Sequence, residues 1–167
     1  GNGRTGRLLI TFYLYKEGIL TQPLLYISEL FKKYRQDYYD KLNGYRFNNG
    51  VENWLKFFLE GVRTVSEEAV TTAQKITKLR EEHIQAALRF GRNANTALKL
   101  LNRLYSLPIV DFRLVGEISG ISSKANINAL IEKFVKAGIL YETTGKERYR
   151  KFVYREYIRQ FSDEKYD

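Results

Sequence analysis

Residues 112–157, FRLVGEISGISSKANINALIEKFVKAGILYETTGKERYRKFVYREY, carry the pattern that decides the fold. The apolar spacing predicts a helix over 112–119, and SGISS then provides a short turn. A second helix is predicted over 123–137, since Ser123 is a favourable N-cap and one apolar stripe follows it, formed by Ile127, Leu130, Ile131, Phe134 and Val135. Gly138 ends this helix. The stretch therefore predicts two helices joined by a short turn.

Two β-prone runs follow the second helix and flank Thr144-Gly145, a pattern that predicts a β-hairpin. Upstream, a helix is predicted over 94–105, and Gly91 in RFGRNANTA marks a domain boundary. Helix, helix, turn, helix and hairpin is the order of a winged helix-turn-helix. We therefore predict a mainly α chain with two domains, residues 1–90 and 91–167, of which the second is a winged helix-turn-helix with a small β-hairpin as its wing.

The predicted winged domain offers candidate contacts for DNA. Residues 112–161 contain ten Lys and Arg but five Glu, a net charge of +5. Cationic side chains neutralise phosphates, while polar side chains at the start of a recognition helix read base edges. The candidates on the helix are Ser123, Lys124, Asn126 and Asn128, and those in the wing are Lys146, Arg148, Arg150 and Lys151. A homodimer or docking surface and a solvated surface without a partner stay open as alternatives.

The first domain is predicted to be helical. Apolar periodicity favours helices from Arg7, over 24–42 and from Val51, with turns in LNGYRFNNG. Thr64 and Glu67 fit a capping box, which predicts a new helix start at Thr64. The apolar seam of this last helix is Val62, Val65, Ala69, Thr72, Ile76, Leu79 and His83. Because His83 is the one histidine and lies on that seam, it is predicted to be a packing residue and not a catalyst or a metal ligand.

The chain begins with GNGRTGR, a composition suited to phosphate. Gly1 and Gly3 leave backbone N–H groups free to converge on an anion, and the helix that follows presents its positive end to the same place. Arg4 and Arg7 are three residues apart, so they project from one side and add forked donors for phosphate oxygens. A phosphate-binding loop is predicted, with a solvated chain end as the alternative.

This stretch resembles the second half of the Fic-family signature, H-x-F-x-(D/E)-G-N-(G/A/K)-R-x-x-R. The segments QPLLYISELFKKYRQDYYDKL and WLKFFLEGV are similar to the helices that follow the signature, and the winged region resembles the C-terminal module of many Fic proteins. The resemblance implies a protein adenylyltransferase, which uses ATP and Mg²⁺ to move AMP onto a hydroxyl of a target protein. It implies that Gly1, Asn2 and Gly3 surround the α- and β-phosphates, and that Arg4 and Arg7 face the β- and γ-phosphates.

The first half of the signature is absent from the chain. In the family, that half supplies the histidine base and an acidic residue that helps to hold Mg²⁺, so no catalytic or metal-ligating residue is assigned here. Arg7 resembles the family arginine that an autoinhibitory glutamate occupies. Because the chain starts at Gly1 without methionine, we expect a C-terminal portion of a longer protein that is inactive by itself.

Charge and composition narrow the partners. The net charge of +9 predicts anionic partners such as nucleotide, nucleic acid or an acidic protein surface. The sequence has no cysteine, which fits a reducing cytoplasm, and no apolar run approaches the roughly 20 residues that cross a bilayer. We therefore expect a cytoplasmic protein without membrane contact. AMP transfer is the first expectation for its function, and a winged-helix DNA-binding transcriptional regulator or a dimerisation module is the alternative.

Overall fold

A computed structural model describes residues 3–21, 27–47 and 50–161 and, for residues 3, 4, 29, 46 and 47, the backbone alone. Most of these residues are helical, and one small antiparallel sheet accompanies the helices. The predicted mainly α fold with a small hairpin is therefore confirmed. Contacts divide the chain into two compact units between Thr71 and Thr72. No helix within the three described ranges is long and apolar enough to cross a membrane.

The first unit contains α1 (Gly3–Lys16), α2 (Ile27–Lys33), α3 (Arg35–Phe47) and the beginning of α4 (Val51–Leu88). Its small core is formed by α2, with Ile27, Leu30 and Phe31 buried against partly buried side chains of α3 and α4. Gly61 permits a close approach there, since a Cβ at this position would lie 2.1 Å from Leu30 Cδ2. A larger residue at 61 requires the Leu30 side chain to move.

Two of the predicted helix boundaries in this unit are wrong. Residues 24–26 of the predicted helix over 24–42 lie outside the described residues, the rest is interrupted at Tyr34, and α3 continues through Asn43 and Gly44 to Phe47. Nor does a helix start at Thr64, because α4 runs without a break across it. The Thr64 hydroxyl donates to the Glu60 carbonyl oxygen at 3.0 Å, and Glu67 pairs with Arg63. Both side chains of the expected capping box thus make bonds typical of a helix interior.

The second unit has the element order of a winged helix-turn-helix. The end of α4 is followed by α5 (Ala94–Leu104), β1 (Ile109–Asp111), α6 (Phe112–Ser119), α7 (Lys124–Lys136), β2 (Tyr141–Glu142), β3 (Lys151–Val153) and a short α8 (Arg155–Ile158). The sheet order is β1-β3-β2, with Phe152 opposite both Val110 and Glu142. The strand β1 was not predicted. Its middle residue, Val110, is buried, but three residues are too few for a period of two to be recognised in the sequence.

The ends of α6 and α7 follow local sequence chemistry. Asp111 caps α6, since its Oδ1 accepts a 2.8 Å hydrogen bond from the Leu114 N–H. Gly120 and Gly138 follow α6 and α7 with φ of 71°, the left-handed conformation that ends helices. The predicted spans of both helices are confirmed to within a residue at each end.

One core joins the elements of the second unit. The fully buried side chains come from α4, α5, α6, α7 and the sheet, and include Ala87, Leu100, Leu101, Leu104, Val115, Leu130, Phe134, Phe152 and Tyr154. Val135 was predicted in the buried stripe of α7 but is 39% exposed, because it lies beyond the edge of that stripe. Since α4 ends in this core, the contact boundary lies before Gly91. The division into domains at 90 and 91 stays a prediction.

His83 lies in α4 and contacts the second core. Its Nδ1 is 2.7 Å from the hydroxyl of the buried Tyr154, and that hydroxyl is 3.4 Å from the hydroxyl of Tyr105. The prediction that His83 is a packing residue with a satisfied ring nitrogen is confirmed. Burial lowers the pKa of His83, against a smaller opposing effect of Glu82 and Glu156.

This lowered pKa makes the stability of the second unit depend on pH. Because its pKa is lowered, His83 takes up a proton at a lower pH in the folded chain than in the unfolded chain, where its ordinary pKa is about 6.5. The free energy of unfolding should therefore fall as the pH is lowered from about 7.5 to 5.5. His83→Gln lacks this titration, so its Tm should fall less over the same interval. Equal pH dependence of the two Tm values contradicts the assignment.

Candidate functional site

The predicted phosphate-binding loop lies at the start of α1. Gly1 and Asn2 are outside the described residues, and α1 already begins at Gly3. Arg4 and Arg7 therefore belong to the first two turns of the helix, whereas the sequence predicted a loop before Arg7. The reason is local, since residues 3–7 contain no proline and Gly6 is tolerated in a helix.

The first turn of α1 holds no acidic side chain. The start of a helix carries the positive end of the helix dipole, so no carboxylate of this turn opposes it. The backbone positions of Arg4 and Arg7 are three residues apart in this helix. These features suit an anion. The described part of the chain holds no cluster of three or more His, Cys, Asp or Glu residues that could bind a metal.

Apolar side chains of α1 lie exposed. At least half of the surface is exposed to solvent at Leu8, Leu9, Phe12 and Tyr13, and the exposed fraction of Leu9 is 66%. Among the described residues, the small apolar cluster of the first unit is formed by side chains of α2, α3 and α4 and by none of α1, in which Thr11 alone is buried. A run of large apolar side chains on one exposed helix is typical of a surface that another protein segment covers.

The candidate recognition helix is α7. Ser123 occupies its N-cap position with extended backbone, but its hydroxyl makes no capping bond. The predicted contact residues Ser123, Lys124, Asn126 and Asn128 are all exposed, and the structure brings them together in the first turns of α7. Ile127, Leu130 and Ile131 are buried on the other side and fix the orientation of the helix. The polar atoms of the exposed side are thus available to a partner.

The wing consists of β2, β3 and the connecting residues 143–150. Lys146 and Arg148 are exposed in this connection, and Lys151 is exposed at the start of β3. Arg150 is also exposed, and its guanidinium carbon lies 5.0 Å from the centre of the Phe152 ring. All four predicted wing residues are therefore at the surface of one hairpin.

Most of the candidate cations are not neutralised by neighbouring carboxylates. None of the five makes a salt bridge among the residues that the structure describes: Lys124, Lys146, Arg148, Arg150 and Lys151. By contrast, Arg113 on α6 is held by Glu117 at 2.9 Å. Unpaired surface cations can exchange their counterions for phosphate groups at little cost.

Sequence reasoning missed two residues of the wing. Glu142 Oε1 accepts hydrogen bonds from the Thr144 N–H at 2.9 Å, from the Gly145 N–H at 3.0 Å and from the Thr144 hydroxyl. The Thr144 hydroxyl first, and then the backbone donors, lower the pKa of Glu142. Tyr149 is 91% exposed and has a φ of 57°, unusual for a bulky residue. A glutamate two residues before Thr144-Gly145 was the available signal for the first of them.

The chain thus has two candidate sites, the start of α1 and the exposed surface of α7 and the wing. No protein-family model matches the chain. The first site offers helix N–H groups and guanidinium groups, which suit the phosphates of a nucleotide. The second offers polar side chains on a helix and unpaired cations on a hairpin, which suit the bases and the backbone of a nucleic acid.

Proposed function

We propose that the chain is the C-terminal portion of a Fic-type protein adenylyltransferase that acts in the cytoplasm. The observation that carries the proposal is GNGRTGR, which matches the signature over seven consecutive positions and runs into the first turns of α1. The first turn of α1 supports it, because it holds no acidic residue and the start of a helix favours phosphate. The exposed apolar side chains of α1 also support it, since a larger catalytic domain would cover them.

In this reaction the oxygen of a target hydroxyl forms a bond to the α-phosphorus of ATP, and pyrophosphate leaves. Arg4 and Arg7 would hold the β- and γ-phosphates and stabilise the charge that builds on the leaving group. The N–H groups at the start of α1 would act on the same oxygens. Bound Mg²⁺ would neutralise phosphate charge, but this chain offers no carboxylate in the first turn of α1 to hold it. The chain therefore fits the phosphates and not the metal.

The coding sequence immediately upstream of the Gly1 codon tests this proposal most directly. We expect it to encode H-x-F-x-(D/E), and the encoded protein to transfer label from α-labelled but not from γ-labelled ATP to a protein. A gene that begins at Gly1 contradicts the proposal for this molecule. A complete signature without transfer of the α-label contradicts AMP transfer.

A second function, DNA binding by the winged helix-turn-helix, is favoured by the exposed polar start of α7 and the unpaired wing cations. Such contacts release counterions from DNA, so the logarithm of the affinity should fall linearly with the logarithm of the salt concentration. This function is compatible with AMP transfer in one polypeptide. It differs from a dimerisation role, which predicts self-association without a response to DNA.

Removal of the wing cations tests the DNA-binding function. The triple variant Lys146→Ala, Arg148→Ala, Lys151→Ala should bind a random-sequence duplex at least about tenfold more weakly. The slope of the logarithm of its affinity against the logarithm of the salt concentration should be shallower by about 2.7. The matched control is Lys16→Ala, Lys32→Ala, Lys41→Ala, which removes the same charge from exposed positions of the first unit. An equal loss in both variants indicates attraction by net charge alone. No binding by the unchanged chain at low salt contradicts the function.

A further inference from the structure

The wing is ordered at its start by one carboxylate. The last hydrogen bonds between the two wing strands join Thr143 to the Lys151 carbonyl oxygen, at 3.0 Å from its N–H and 3.4 Å from its hydroxyl. Beyond them, Glu142 accepts from Thr144 and Gly145. Residues 146–150 make no hydrogen bond in the described structure. Glu142 is therefore the side chain that fixes how the connection leaves the sheet.

This carboxylate is in an unexpected place. Four cations, Lys146, Arg148, Arg150 and Lys151, follow Glu142 within the same hairpin, and a carboxylate among them opposes attraction of an anionic partner. Glu147 is such an opposing charge, since it is exposed and makes no salt bridge or hydrogen bond in the described structure. Glu142 differs from Glu147 because its carboxylate accepts hydrogen bonds from two backbone N–H groups of the wing and from the Thr144 hydroxyl.

The connection that follows Glu142 has an unusual backbone conformation. Gly145 has a φ of 60° and Tyr149 has a φ of 57°, so two residues of the connection are left-handed. A connection with these conformations is one of many that residues 143–150 could adopt if the start were released. Holding the start in one conformation reduces the entropy lost when the cations engage a ligand.

We propose that Glu142 is a positioning residue for DNA binding, which sets the direction of the wing so that Lys146 and Arg148 meet the sugar–phosphate backbone of duplex DNA. The inference rests on the proposed DNA-binding function. It assigns a favourable effect to a negative charge within a cationic element. Charge repulsion alone predicts that removal of Glu142 strengthens DNA binding, whereas the positioning role predicts that it weakens binding. The sign of the change in affinity therefore distinguishes the two explanations.

The test compares two variants that remove one negative charge each from the same hairpin. Glu142→Ala should weaken binding of a fluorescently labelled random-sequence duplex about fivefold, because the free wing must be ordered on binding. Glu147→Ala should leave the affinity unchanged or raise it by about twofold, because only repulsion is removed. Glu142→Gln retains an oxygen acceptor at the same position and should stay close to the unchanged chain. Fluorescence anisotropy at one salt concentration measures all three.

A second measurement follows the wing without DNA. Amide hydrogen exchange at Thr144 and Gly145 should accelerate in Glu142→Ala and stay unchanged in Glu147→Ala, with equal Tm values showing that both variants are folded. DNA binding by Glu142→Ala as tight as by Glu147→Ala overturns the positioning role but leaves the DNA-binding function standing. Absence of DNA binding by the unchanged chain overturns both.

Discussion

Arg7→Ala is expected to lower AMP transfer about hundredfold in a protein that carries a complete signature before Gly1, the effect of removing one preorganised donor from a developing negative charge. Arg7 is on the second turn of α1, three residues from Arg4 and near the positive end of the helix. The interaction of its guanidinium with the phosphates would strengthen most as pyrophosphate departs, so Arg7→Ala should mainly lower kcat. The measurement is the steady-state rate of label transfer from α-labelled ATP.

Two further variants make this result specific. Arg7→Lys keeps the charge but loses the forked donors, so it should recover only part of the rate. Lys16→Ala removes a positive charge from the last turn of the same helix, far along its axis, and should leave the rate unchanged. Undiminished transfer in both Arg4→Ala and Arg7→Ala is incompatible with the proposed phosphate site.

The helices of the winged region could be predicted because their ends are set by nearby residues. Gly120 and Gly138 adopt the left-handed conformation that the sequence pattern assigns to helix ends. The stripe from Ile127 to Phe134 is long enough to show a helical period. The first unit was harder, because Thr64 has the same chemistry at a helix start and inside a helix, and packing of α4 decides between them.

In the candidate sites, too, features set by neighbouring residues could be predicted from the sequence, whereas features set by the folded chain could not. The spacing of Arg4 and Arg7, and the cations of the wing, are visible in the sequence because they depend on residue type and position alone. The role of Glu142 was not visible, since it depends on where the hairpin turns. Likewise, β1 pairs with a strand that lies some 40 residues away in the chain, and the sequence of its three residues does not predict this contact.

Phe134→Ala is expected to lower the free energy of unfolding of the second unit by about 3–5 kcal/mol, the usual cost of deleting a buried phenyl ring. Phe134 is fully buried on α7, and its ring meets the Phe90 ring edge-on at 5.5 Å between centres. Against a total stability of about 5–15 kcal/mol, this loss should lower Tm by more than about 10 °C. Thermal melting followed by circular dichroism measures it.

The neighbouring residue provides the control that connects this prediction to function. Val135 is on the same helix but 39% exposed, so Val135→Ala should cost less than about 1 kcal/mol. Fluorescence of Trp54, the one tryptophan and a residue of the first unit, separates unfolding there from unfolding around Phe134. Because Phe134 holds α7 against the core, DNA binding should be lost in Phe134→Ala at a temperature where Val135→Ala still binds. Equal melting of the two variants contradicts the placement of α7 on which the interface depends.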